Sequence, residues 1–279
     1  MVAGDGREGR ALVQIIPLVT DLEHSAGAAR GRCIHCDRFH SLSRDAAVDA
    51  MKILQLELTR GRVADPTARD ERGRQIIGME ELFRPYGGKM FGVLVGDDAD
   101  GETVTLRAFS GQLCGAWRVP GWCDPVFDVT EWLALESRYD PEIRRVTARL
   151  EATAGASERA QLRAQRADLS RALMERYHGL YRFENFRGRM AGWDEVLDRE
   201  AGIASGMGDC CAPKLLSEAA ERGIFPRGMA EFYWGAKNRA ETREHGVTYP
   251  PCEEKCEPLL GFMLCGSERD AKGRGDVIR

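Results

Sequence analysis

No stretch of this 279-residue chain is apolar for long enough to cross a bilayer, and no secretory signal is present. The early run Gln14-Ile-Ile-Pro-Leu-Val is too short for either role. An excess of one charge is also missing. Lys and Arg number 40 against 44 Asp and Glu, for a formal net of −4. That balance excludes chain-wide attraction to a polyanion, so nucleic-acid contact would have to use a local patch. No internal repeat is found. With no export signal, a reducing, cytoplasmic setting is expected. The cysteines, an odd nine, are then read as metal ligands or catalytic thiols before disulfides.

What is present concentrates between Gly208 and Leu264. The text there is GDCCAPKLLSEAAERG, then MAEFYWG, then HGVTYPPCEEKCEPLLGFML. Cys252 and Cys256 are four residues apart, which on a helix puts both sulfurs on one face. Cys210-Cys211 precede Pro213, a residue that suits a first helical turn. Thiols at a helix N-terminus feel the positive end of its dipole, which lowers their pKa. The expectation is two helices, starting at Cys210 and Cys252, with a strand over 229–234 between them. Cys210, Cys252 and Cys256 would hold one zinc ion, and Cys211 would be a fourth ligand or a nucleophile.

The rest of the chain reads as support. Residues 1–32 are expected to be a loose N-terminal arm. Cys33-Ile-His-Cys36 is a Cys-x-x-Cys with two nearby histidines, His35 and His40, and reads as half of a second zinc site, with Cys114 and Cys123 as the candidate other half; buried unliganded thiols are the alternative. Ser43 or Asp45 can cap a helix over 46–60, where Val48, Met51, Leu54 and Leu58 recur at helical spacing and Gly61 follows. Strands are predicted over 89–95 and 103–109, joined by a Gly-Asp-rich turn into a hairpin. The Gly-, Pro- and Trp-rich loop 110–128 is either a pocket wall or a packed Ω-loop. Residues 141–177 predict an antiparallel helical hairpin. Its arginines are read as a solvated face paired with glutamates, with a phosphate-contacting arm as the functional alternative. The resulting division is 33–135 as the first part of an α/β domain, 136–200 as the inserted hairpin and connection, 201–266 as the Cys-rich second part, and 267–279 as a disordered tail.

The predicted order is α-β-β-α-β-α, giving an α/β (α+β) fold class. It resembles the front of the zinc deaminase fold, in which two helix N-termini carry the metal ligands on one side of a three-layer sheet domain. There one ligand comes from the first helix and a Pro-Cys-x-x-Cys supplies two more. Pro251-Cys252 and Cys256 resemble that element with one additional residue. Deaminases place a glutamate two residues after the first ligand; here Ala212 or Pro213 stands in that place. Asp209, Glu231 and His245 are the alternative proton carriers, and Lys214, Trp234 and Arg243 are candidate substrate contacts, with sheet core as the alternative among Phe232, Tyr233 and Trp234 and neutralisation of neighbouring acids as that for Lys214 and Arg243.

More particularly, KMFGVLV, LRAFSGQL, PGWCDPVFD, GDCCAPKLL, MAEFYWG and the 245–264 block resemble the N-terminal extension of long-form RluA-type RNA pseudouridine synthases, over roughly residues 88–264. The Arg-Leu-Asp segment of the synthase catalytic domain does not occur, so the chain is expected not to isomerise uridine by itself. The resemblance implies RNA or a nucleobase as partner. The leading expectation is a zinc-dependent enzyme using zinc-bound hydroxide to attack a base ring. The alternatives are a non-catalytic zinc-stabilised RNA-binding module and a cysteine-nucleophile enzyme pairing Cys210 or Cys211 with His245.

Overall fold

A computed structural model describes residues 29–61, 69–74, 78–197, 202–204 and 206–268, except for the side chains of 253–255. Most of the expected arm and tail, 1–28 and 269–279, lies outside the described residues. The centre is an antiparallel sheet of order β4-β3-β7-β8. Its strands are β3 (Lys89–Asp97), β4 (Thr103–Phe109), β7 (Phe225–Trp234) and β8 (Thr248–Tyr249). The hairpin β3–β4 forms because two apolar runs flank a turn, in which Asp98 accepts from the Asp100 and Glu102 N–H groups.

Helices cover both faces. On one face α1 (Val48–Thr59) buries Met51, Leu54 and Leu58 against Phe91, Val93 and Phe232. The Ser43 hydroxyl accepts the Asp45 N–H at its approach. On the other face lie α5 (Cys211–Glu221) and α6 (Glu253–Met263), sharing a core with Leu94, Leu106 and Met229. Strand parity sorts the residues of β7: Ala230, Phe232 and Trp234 join the α1 side, while Met229 packs on the α5 side. Glu231 shares the α5 side with Met229.

A small hairpin, β1 (Ala29–Arg32) and β2 (Phe39–Leu42), packs on α6. Residues 29–32 are therefore a strand rather than part of a loose arm. Its approach is close enough to need glycine on both sides. A Cβ on Gly31 would fall on the Glu257 carbonyl, and one on Gly261 would fall on the Arg32 backbone.

The helical hairpin is longer than expected. Its first helix, α2 (Val129–Ala152), starts well before Pro141, because Asp128 caps it by accepting the Thr130 and Glu131 N–H groups at 2.7 and 3.1 Å. Pro141 lies inside the helix and removes one bond to Ser137, an exposed residue whose carbonyl water can reach. The return helix is α3 (Ala156–His178). Arg144, Arg145, Arg149 and Arg171 pair with acids of the same hairpin, as a solvated face would. At its base Trp132 stacks on Tyr177 at 3.6 Å and meets Phe127, Trp117 and Tyr181, joining the hairpin to the main core. Short elements β5 (Phe183–Glu184), β6 (Met190–Ala191) and α4 (Trp193–Val196) complete that junction. Loop 110–128 is packed, with Leu113, Trp117, Trp122 and Phe127 buried. Among the described residues no helix is long and apolar enough to cross a membrane.

Candidate metal centres

Among the described residues one group of side chains could hold a metal ion, at the C-terminal end of α6, and a separate gathering of thiols lies at the opposite end of that helix. At its N-terminal end the helix tips converge as the Cys spacing implies. Cys210 is the N-cap of α5 and Cys252 the N-cap of α6. The Cys256 thiol is hydrogen-bonded to Cys210, and that bond, with burial, holds it protonated far above the ordinary range. Cys252 is close enough to add to the same effect. The three sulfurs are not drawn into a tight ligand group among the described residues.

Glu231 reaches this cluster from β7. Its side chain is buried, and burial beside Cys210 pushes its carboxyl up to about 8, against the pull of the Ala212 N–H, which it accepts, and of Arg243. Its Oε1 has no hydrogen-bond partner among the described residues. Gly92 stands opposite Glu231 in the β3–β7 register and makes the room: a Cβ there would lie 2.8 Å from the Cys211 Cβ and 3.3 Å from the Glu231 Cγ. Asp209 lies just before the tip and accepts the Tyr181 hydroxyl at 2.7 Å, with burial raising its carboxyl. This end of α6 therefore gathers buried acids, which the buried Lys214 ammonium and Arg243 offset only in part.

Several expected roles do not fit their positions. Cys211 is buried and turned to the sheet, its thiol donating to the Met90 carbonyl at 3.4 Å. Burial and Glu231 push it well above the ordinary thiol range, so the helix dipole does not activate it. His245 accepts the Gly235 N–H at 3.0 Å and packs on Trp234 and Phe83, with the α1 side of the sheet; its interactions there do not include a thiol. A Cys211–His245 couple is therefore not formed. Trp234 is core, edge-on to Phe232, and offers no face to a base. Lys214 is buried with its ammonium donating to the Phe109 and Gly111 carbonyls at 2.9 and 2.8 Å, so it ties the 109–111 loop to α5 instead of meeting phosphate. Burial brings it down to about 8. Arg243 lies over the Tyr249 ring of β8 at 4.2 Å.

The second cluster is at the other end of α6. Cys33, Cys36, His40 and Cys265 place their ligand atoms all within 4.8 Å of one another, and this group could hold a metal ion. Cys33 and Cys36 sit in the turn between β1 and β2, where Cys33 accepts the Asp37 N–H and donates to the Arg38 carbonyl, both at 2.9 Å. His40 is on β2, and Cys265 lies just past the α6 C-terminus. Burial alone would raise Cys36, but hydrogen bonds from His40, the Arg38 N–H, Cys265 and Cys33 bring it to about 7. Burial pushes Cys265 up to about 12, against the Arg187 guanidinium, which donates to its sulfur at 3.3 Å.

The pair expected to complete this half-site is elsewhere. Cys114 lies in a loop near Lys89, and Cys123 is buried beside β4, pushed to about 12 by burial. His40 and Cys265 are the partners instead. His40 stands four residues after Cys36, and Cys265 is the one cysteine left without an expected partner, so both leave a trace in the sequence.

No family model, curated protein or solved structure matches this chain.

Proposed function

We propose that the tips of α5 and α6 form the active centre of a metal-dependent hydrolase that deaminates a nucleobase, free or in RNA. Cys210, Cys252 and Cys256 are the metal ligands and Glu231 is the general acid and base. The observation that carries this reading is Glu231. A buried carboxylate oxygen without a partner is costly, and such groups persist where chemistry uses them. Its other contact is the Ala212 N–H, two residues past Cys210. The sequence has no glutamate at that position, and in this reading Glu231 supplies the carboxylate from β7, on the sheet face that α5 covers.

The donor set fits a thiophilic divalent cation. Burial and mutual repulsion keep these thiols and the carboxyl protonated despite Arg243 nearby, and a cation there would let the thiols ionise together. Bound zinc would supply Lewis acidity and activate water. The protein's own part is proton traffic. Glu231 takes a proton from water and passes it to the ring nitrogen, then takes the second proton from the hydroxyl added to the ring carbon and gives it to the departing amine, so that amine and water become carbonyl and ammonia. Arg243, over the Tyr249 ring and near enough to Glu231 to pull on its carboxyl, would contact the incoming base.

The test is ammonia release from nucleosides and short RNA oligonucleotides, with mass spectrometry of the product. Glu231→Gln should keep its metal and lose activity by about 10²–10⁴-fold. Cys210→Ser and Cys256→Ser should lose both. RNA retained without turnover, or metal content unchanged by both cysteine variants, would overturn the reading.

A further inference from the structure

We propose that Cys33, Cys36, His40 and Cys265 hold one zinc ion in a closed, structural site that fastens the β1–β2 hairpin to the end of α6. The spacing fits a tetrahedron. With Zn–S near 2.3 Å, two thiolates on one zinc lie about 3.8 Å apart. The Cys36 and Cys265 sulfurs are 3.7 Å apart. A disulfide would need about 2.0 Å. The His40 Nε2 lies 3.2 Å from the Cys36 sulfur, a few tenths short of the mixed S–N edge of the same tetrahedron, about 3.6 Å.

The surroundings are also those of a metal site. A zinc-bound histidine characteristically gives its other ring nitrogen to a carboxylate, which fixes the tautomer and aims the ligand nitrogen. His40 turns its Nδ1 to the Glu268 carboxylate at 3.4 Å while its Nε2 faces the sulfurs. The Arg38 N–H points at the Cys36 sulfur, and the Arg187 guanidinium at that of Cys265. These donors suit thiolates better than thiols. Four protein ligands leave no position for substrate, so the site's task is to hold structure. This proposal does not depend on the reading of the α5–α6 tips, because it uses none of their residues.

Metal analysis of the purified chain tests it. Cys265→Ser and His40→Ala should each remove one zinc equivalent, both in the otherwise native chain and in a Cys256→Ser background. Cys265→His should keep that equivalent, which guards against loss through misfolding. In the Cys256→Ser background, cobalt substitution should give the intense visible bands of a tetrahedral thiolate site. Glu268→Gln should retain the metal with affinity weakened about 10–100-fold in competition with a chromophoric chelator. A Cys36–Cys265 disulfide, iron in place of zinc, or zinc content untouched by Cys265→Ser would overturn the proposal.

Discussion

Glu231 and Gly92 face each other across β3 and β7, and the glycine exists there for the glutamate and Cys211. Gly92→Ala should therefore be felt at the pocket more than in the sheet. A methyl group 2.8 Å from a helix side chain must push α5 outward, at a cost of about 1–3 kcal/mol. The check is the urea unfolding midpoint, together with metal affinity at the tips; an unchanged midpoint would mean that α5 yields freely. At this scale the cysteine spacings were informative, since Cys210 and Cys252 both prove to be helix caps. Lys214 was not legible as a buried residue. Residue type suggests exposure for a lysine, but backbone carbonyls at 109 and 111 claim it instead. Of the partners of Cys33 and Cys36, His40 stands close by in the sequence, while the proximity of Cys265 was hidden for another reason. Cys265 is more than two hundred residues away, and only the packing of α6 on β1 brings it back.

The hairpin of α2 and α3 has its own small core, Val146, Leu150 and Leu162 with Leu169 beside them, separate from the two clusters that flank the sheet. Leu162→Ala should destabilise the outer part of that hairpin by about 2–5 kcal/mol, the usual range for such a truncation. Hydrogen exchange should speed up in α2 and α3 while β3 and β7 keep their protection. Equal acceleration in the sheet would show that hairpin and sheet open as one unit. Element type was readable here from helical periodicity, as it was for α1, while β3 and β4 were readable from an apolar run and from alternation. The start of α2 was misjudged because Pro141 has the chemistry of a first-turn residue. Asp128 supplies a stronger start, and an exposed Ser137 carbonyl tolerates the missing donor.

For the molecule as a whole, both clusters depend on α6, which carries thiols at each end and touches the hairpin through paired glycines. Removing metal with a strong chelator should free residues 29–42 and 264–268 for proteolysis before the sheet is cut, and should lower the melting temperature. Mapping the first cleavage sites checks this; initial cuts within β3 or β7 would place the weak point elsewhere. The layered α+β architecture was legible from the order of apolar runs. The β1–β2 hairpin was not, since four-residue strands around a Cys-x-x-Cys turn carry too little periodicity to read.

The turn at Cys33–Cys36 and the stretch from Cys265 to Glu268 are nearly the first and last described parts of the chain, yet they meet in one knot. A tension applied across the molecule from these two stretches would therefore load the clasp before it reached any strand of the central sheet. The mechanical limit of the folded chain would then be set by coordinate bonds between sulfur, nitrogen and a cation, with the hydrogen-bonded strands behind them shielded until those bonds part.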